Sequence, residues 1–454
     1  MARPHVLYFM CDQMQYQRQG RIDSKAFTPN LDRFADEGVS FSHFFCANGQ
    51  CVPSRVSMQT GLYPHEARVM IIYGFQGHSA HLTGAELTVG DVFREAGYTT
   101  AYFGKTHFGT SLESLGYDVG FDVERQIAPK VSEADRIIGD HALGYLEAYD
   151  PNSPLFLTVS LIQPHPPFEL VDEFAEHYPL ELMELPESYW RDDLSTKPAF
   201  QRAHALDGLH GTSNEEILRT ELRQYYTMIS RVDKQFGEIR AALEKKGMWE
   251  NTIVVFTTDH GDMMGAHRTR LKGTLPYDEL YRIPLILKIP GERFPRTIVD
   301  DLSVNVGLPG LLVEAAGLVA PAEFKGRSLL PAMRRDNALD DEIIFYEHYG
   351  AYWGVHPFRA ARTRAWKYVK YYGPDQTEEL YDLRTDPSES VNRAGDPTLA
   401  QIQSELERQV DRWWAETDGK DFAYYDTAEF KSRGMPLPTN AGDAQREFEA
   451  GRVT

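Results

Sequence analysis

The chain has 454 residues, with 47 Lys and Arg against 67 Asp and Glu, for a formal net charge of −20. So acidic a chain disfavours nucleic acid and anionic membrane surfaces as partners, because both need a basic footprint. Its 42% hydrophobic and 25% charged content is that of a globular protein with a large core, not of a disordered one. No stretch approaches the roughly 20 apolar residues needed to span a bilayer. The apolar run at residues 6–11 is too short for a signal-peptide core and lacks a small-residue cleavage site. Three cysteines, Cys11, Cys46 and Cys51, are an odd and sparse set that argues against a disulfide framework. Together these lead us to expect a cytoplasmic protein.

In chain order, strands are predicted at residues 5–10, 39–45, 98–103, 155–162, 252–258 and 284–289, mostly as continuous apolar runs. Such runs suit strands buried on both faces, as in an α/β sheet between helices. Helices are predicted at residues 31–37, 89–96 and 214–246, followed by Gly38, Gly97 and Gly247, where a left-handed cap would sit. After about Pro331 the character changes. Short strands at 343–347, 359–363 and 366–372 predict a small antiparallel sheet, and a helix follows at 398–417. We therefore expect a catalytic α/β domain over 1–335 and a C-terminal α+β subdomain over 336–417. Residues 418–454 would form a polar tail that wraps the surface, is disordered, or packs as an arm on a second copy.

Polar residues collect after the predicted strands: Asp12-Gln13, Gly104-Lys105-Thr106-His107, Gln163-Pro164-His165-Pro166 and Asp259-His260-Gly261-Asp262. Ligand sites in open α/β sheets form beyond the carboxyl ends of strands, and four strands here deliver carboxylates, histidines and a lysine to one edge. Asp12, Gln13, Asp259 and His260 offer an oxygen-rich set suited to Ca²⁺, Mg²⁺ or Mn²⁺. The spacing reads equally well as Asp259 and Asp262 capping a helix. No zinc pattern is present, since Cys46 and Cys51 lack partners at ligand spacing.

In Cys51-Val52-Pro53-Ser54-Arg55, continuing to Thr60-Gly61, Pro53 is placed to open a helix that ends at Gly61. Cys51 would then lie at a helix N-terminus, where free amides favour an anion, with Arg55 one turn in. A cysteine is more often a buried hydrophobe than a reactive group, but these neighbours point the other way. The pattern Cys51-x-Pro-Ser-Arg with Thr60-Gly61 closely resembles the signature of sulfatases in the alkaline phosphatase superfamily. Thr28-Pro-Asn-Leu-Asp-Arg33, Gly104-Lys-Thr-His107, Pro164-His-Pro166, Thr258-Asp-His-Gly-Asp262 and Glu379-Leu-Tyr-Asp-Leu383 with Asp386-Pro387 support it, in the family's order.

The resemblance implies an alkaline phosphatase-like sheet sandwiched by helices and hydrolysis of a sulfate monoester. It also implies a Cα-formylglycine made from Cys51 by a formylglycine-generating enzyme. By the same resemblance Asp12, Gln13, Asp259 and His260 hold one divalent cation, Ca²⁺ first, together with residue 51. Lys105, Arg55 and Lys272 would neutralise sulfate oxygens, His107 would take the proton that releases sulfate, and His165 or Lys272 would protonate the alcohol. Lys272 is chosen over Arg268 and Arg270, read as a solvated loop, because Leu-Lys-Gly before Tyr277-Asp-Glu279 resembles the family's lysine loop. His43, His65, His78, His267 and His348 stay unassigned, mostly as surface or supporting residues; Tyr73, His78 and Trp353 are substrate-pocket candidates.

Gln13 and His260 depart from the aspartate and asparagine many sulfatases carry, which keeps Mn²⁺ open. The same pair is similar to a branch holding phosphonate monoester and phosphodiester hydrolases, whereas Lys105 and His107 are sulfatase-like. Two further readings are a non-catalytic anion-binding protein that keeps the Cys51 thiol, and a cysteine hydrolase using Cys51 with a histidine. Substrate choice would lie in loops 65–83, 168–212 and 349–358. The −20 charge favours a small monosulfate over a sulfated polymer.

Overall fold

The computed structural model describes residues 3–72, 77–78, 80–123, 130–206, 214–292, 297–334, 343–351, 354–373 and 376–432. Among the described residues, ten strands precede the C-terminal sheet: β1 (His5–Cys11), β2 (Val39–Phe41), β3 (Phe44–Phe45), β4 (Thr99–Gly104), β5 (Val119–Asp122), β6 (Leu155–Ser160), β7 (Thr252–Thr258), β8 (Leu285–Lys288), β9 (Thr297–Val299) and β10 (Ser303–Val304). Eight of them form one sheet in the order β5-β4-β6-β1-β7-β8-β2-β9. Strands β5, β4, β6, β1 and β7 run parallel, and β8 is antiparallel to both its neighbours.

The continuous apolar runs are explained by burial on both faces. Along β1, Val6, Tyr8 and Met10 join one core while Leu7, Phe9 and Cys11 join the other. The second core is closed by the helices Pro29–Glu37, Val131–Ala148 and Glu215–Lys245, through Leu31, Phe34, Ile138, Leu222 and Phe236. The first is closed by Cys51–Thr60, Val89–Glu95 and Leu308–Ala315, through Val56, Phe93 and Leu311.

Four strands, β11 (Ile343–Ala351), β12 (Gly354–Thr363), β13 (Trp366–Tyr371) and β14 (Glu378–Asp382), form the expected antiparallel sheet in sequence order. One face adds Tyr346, Phe358 and Val369 to the first core. Its other face packs Ala361, Tyr368 and Leu380 on Leu406 and Val410 of the Ala400–Glu416 helix.

Some expectations need correction. Residues 39–45 are not one strand: Ser42 and His43 turn out, and β3 leaves the main sheet to pair with β10. Gly38 is not a left-handed cap, because its backbone is extended (φ −121°). A Cβ there would lie 2.4 Å from the Leu287 carbonyl oxygen, so close approach, not φ, demands glycine. Gly97 and Gly247 do have positive φ. The tail begins by packing on its own chain: Tyr425 and Phe430, from helices Phe422–Tyr425 and Ala428–Ser432, are buried against Met70, Tyr349, Trp413 and Trp414. Residues 433–454 lie outside the described residues, as do Tyr73 and Trp353. Among the described residues no helix is long and apolar enough to cross a membrane.

Candidate active site

Strands β4, β6, β1 and β7 are adjacent and parallel, so the residues after their carboxyl ends share one edge. The register sets Cys11 of β1 opposite Thr258 of β7, which places Asp12 beside Asp259. Beside them runs a helix that starts at Cys51 itself, two residues earlier than expected, with Pro53 in its first turn. It ends at Gly61 in the left-handed conformation (φ 64°), and every side chain in it is buried. Gly104, immediately before Lys105, has φ +124°, and a Cβ there would lie 1.8 Å from the Ser160 carbonyl oxygen. Only glycine lets β4 close on β6 at this point.

Cys51 is the hub. Its Sγ lies 2.7 Å from Lys272 Nζ, 3.2 Å from His260 Nε2, 3.7 Å from Asp12 Oδ1 and 4.0 Å from Lys105 Nζ. Side-chain contacts with His107 and His165 complete the ring. Burial opposes charge on the thiol, yet Lys105, Lys272 and His260 hold it well below the ordinary cysteine range. Burial, then Lys272 and Lys105, pushes the His165 imidazole down to about 4. Its Nδ1 lies 2.6 Å from the Pro166 carbonyl oxygen. The sequence-predicted residues Asp12, Gln13, Cys51, Lys105, His107, His165, Asp259, His260 and Lys272 thus converge on one point.

Arg55 is placed differently from an anion-binding fork. Its Nε donates to Asp259 Oδ2 at 2.6 Å and its Nη2 to Asp12 Oδ2 at 2.9 Å. Its Nη1 donates to the Lys105 carbonyl at 2.8 Å and to Ser160 Oγ at 2.9 Å. All three nitrogens are committed to protein acceptors, and the side chain is fully buried. The guanidinium therefore ties the two carboxylates to β4 and β6.

Asp12, Cys51, Asp259 and His260 bring one ligand atom each to within 4.8 Å of one another. His260 Nδ1 lies 2.8 Å from the Gly261 carbonyl oxygen, which turns Nε2 toward Cys51 and the carboxylates, where it would serve as the ligand atom. Gln13 Oε1, on a residue with φ +70°, faces the same space and accepts from Lys272 Nζ at 2.9 Å. Two carboxylates, an amide oxygen and one imidazole, with ammonium groups already drawn in, fit a hard divalent cation.

Sequence reasoning missed the supports. Asp262 accepts from the backbone of Met264 and Leu271 and from Gln13 Nε2. Ser54 Oγ donates to the Asp259 carbonyl at 2.6 Å and is itself held by Asn305 Nδ2 at 2.9 Å. Tyr225 donates to the Gln13 carbonyl at 2.6 Å. Asp262 was at least visible inside its motif; Asn305 and Tyr225 carry no local signal.

Other readings are corrected by burial. Of the surface and supporting roles expected for the unassigned histidines, burial leaves the supporting one for His65, His78, His267 and His348. His65 bonds Glu347, and His267 bonds Asp192. His78 packs by Tyr349 and Phe430, and His348 stacks on Phe358. Arg270 pairs with Glu221, and Arg268 donates to the Tyr189 carbonyl, so neither is simply solvated.

A family model described as "Sulfatase" matches residues 4–306, and one described as "N-sulphoglucosamine sulphohydrolase, C-terminal" matches 267–416. The chain is 29% identical to an uncharacterized sulfatase of Escherichia coli, covering 89% of this chain and 86% of that one. It is 28% identical to a Delta 4,5-hexuronate-2-O-sulfatase of Bacteroides thetaiotaomicron, covering 89% and 87%. The fold is similar to that of a phosphonate monoester hydrolase from Silicibacter pomeroyi, with TM-score 0.81 at 22% identity over 91% of this chain and 96% of that one. With Cys51 at the head of its helix, ringed by carboxylates, lysines and histidines, the chain belongs to the sulfatase family of the alkaline phosphatase superfamily and is a sulfuric ester hydrolase.

Proposed function

We propose that the protein hydrolyses the sulfate monoester of a small molecule to its alcohol and inorganic sulfate, with a formylglycine made from Cys51 as nucleophile and one divalent cation, Ca²⁺ ahead of Mn²⁺ and Mg²⁺. The observation that carries this reading is the convergence of Lys105, Lys272, His107 and His165 on residue 51 beside a carboxylate pair. When bound, the cation supplies Lewis-acid stabilisation of developing negative charge. The hydrated aldehyde would supply one hydroxyl to attack sulfur and a second that, on losing its proton, re-forms the carbonyl as the carbon–oxygen bond to sulfate breaks.

The remaining work falls to side chains. Lys105 and Lys272 hold the sulfate oxygens in a buried, low-dielectric space where each charge counts for more than in water. Of His165 and Lys272, Lys272 carries the proton to give to the departing alcohol oxygen as the ester S–O bond breaks, because the neutral His165 ring keeps its proton on Nδ1 toward Pro166. His107 takes the proton from the second hydroxyl as sulfate leaves. Arg55 holds Asp12 and Asp259 in place, its donors already committed to protein acceptors. The maturation enzyme that converts Cys51 and self-association through the C-terminal tail belong to the same proposal. So does a cytoplasmic location, supported by three free cysteines.

Gln13 and His260 favour a second reading, a phosphonate monoester or phosphodiester hydrolase on the same scaffold. The test is a kinetic comparison of aryl sulfate, choline-type sulfate, sugar sulfate and aryl phosphonate monoester on aldehyde-bearing enzyme, with Cys51→Ala as control. Sulfate turnover that Cys51→Ala abolishes is expected. Turnover of the phosphonate without any sulfate overturns the first reading in favour of the second.

A further inference from the structure

We infer that Asp262 is the positioning residue that couples the metal-facing amide of Gln13 to the loop carrying Lys272, an inference that rests on the metal reading above. Asp262 is fully buried, and its two carboxylate oxygens serve different masters. Oδ2 accepts from Gln13 Nε2. Oδ1 accepts from the Met264 amide at 2.8 Å and the Leu271 amide at 3.1 Å. A carboxylate only accepts, so it dictates which way the Gln13 amide turns. The NH₂ must face Asp262, and Oε1 is thereby aimed into the centre, where Lys272 Nζ meets it at 2.9 Å.

The other oxygen acts on the same lysine from its backbone side. Leu271 directly precedes Lys272, and the Leu271–Asp262 bond closes the base of the loop, beside the Met263 amide to Leu271 carbonyl bond of 2.8 Å. Gln13, Met264 and Leu271 all sit at positive φ (70°, 41° and 62°), a cost for side-chain-bearing residues that persists only where the surroundings impose it. All three are bonded to Asp262. One carboxylate therefore sets the polarity of a ligand amide and the seat of the cationic group that faces it, as outer residues do around metal-binding groups.

Polarity can be inverted without changing shape, which gives the test. Asp262→Asn presents an NH₂ to the Gln13 NH₂ and forces that amide to flip, turning nitrogen toward the centre. Gln13→Glu sets two carboxylates face to face. The double variant Gln13→Glu/Asp262→Asn restores a donor–acceptor pair of reversed sense and again leaves an oxygen facing the centre. Calcium chloride is titrated calorimetrically into chelator-stripped, full-length protein with the thiol intact, and kcat and KM are measured on matured enzyme.

We expect Ca²⁺ affinity to fall roughly 10–100-fold in each single variant, with kcat falling in step. The double variant should return to within about tenfold of the parent. Should Asp262→Asn fail to fold, recovery of both folding and Ca²⁺ binding in the double variant supports the same coupling. Parent-like Ca²⁺ affinity in Asp262→Asn, or a double variant no better than the weaker single one, overturns the inference. A parent that binds none of Ca²⁺, Mn²⁺ and Mg²⁺, titrated the same way, overturns the metal reading itself, a separate outcome.

Discussion

Two regions of this molecule bury charge, and they do so to opposite ends. Under the C-terminal sheet, Asp278 is bonded by Arg362 and by Lys367 at 2.6 Å, and Lys367 also pairs with Glu389. Nearby, Gln201 donates to Glu379, and Lys197 donates to Tyr381 OH at 2.8 Å. Each of these charges meets a partner of opposite sign or a neutral hydrogen-bonding group. At the strand edge, the carboxylates of Asp12 and Asp259 stand side by side and share the Arg55 guanidinium, Lys105 also pairs with Asp12 at 2.9 Å, and the ammonium groups of Lys272 and Lys105 face the Cys51 sulfur. Burial and perturbed ionisation occur in both regions. Like charges gathered around one reactive atom occur in the second, and that gathering, not burial, marks the chemistry.

The contrast can be broken from either side. Cys51→Ala should abolish turnover, with a loss of at least about 10³-fold in kcat, while leaving the thermal midpoint close to the parent's. Arg55→Leu removes the cation between two buried carboxylates and should cost about 3–5 kcal/mol in urea unfolding, together with metal affinity. Retention of both would show that Arg55 does not hold the pair. Lys367→Met in the closed network should cost a comparable amount of stability, about 3 kcal/mol, yet leave kcat/KM within about tenfold. A larger kinetic loss would erase the distinction between the regions.

The smallest effect concerns His348, whose imidazole burial, with His356 adding to it, pushes down to about 3. Its folded-state value lies below the unfolded one, so only the unfolded chain takes up this proton as pH falls through 6.5. Stability from this group is complete above that value and is lost toward pH 3, with a slope of up to about 1.4 kcal/mol per pH unit. His348→Phe should flatten the acid limb of the stability profile accordingly; an unchanged slope would assign acid lability elsewhere.

Much of the fold is legible because the long strands β1, β4, β6 and β7 are apolar on both faces and each runs directly into a polar cluster. The short strands are not. β5 is an edge strand with exposed positions, and β9 and β10 are three and two residues long, too short for a period to register. The residue set of the site is legible from motif and strand end together. What escapes is direction. That Arg55 turns inward depends on Asp12 and Asp259 lying abreast, which the β1–β7 register decides and local sequence does not encode. The same holds for His65 and His267, whose partners Glu347 and Asp192 lie 282 and 75 residues away.

The most direct test of the central claim is peptide mass spectrometry of the fragment containing Cys51, taken from protein of known specific activity toward an aryl sulfate. The account predicts a species lighter than cysteine that reacts with hydrazide, present in proportion to sulfatase activity across preparations. Full activity in protein whose residue 51 is unmodified cysteine throughout would contradict it.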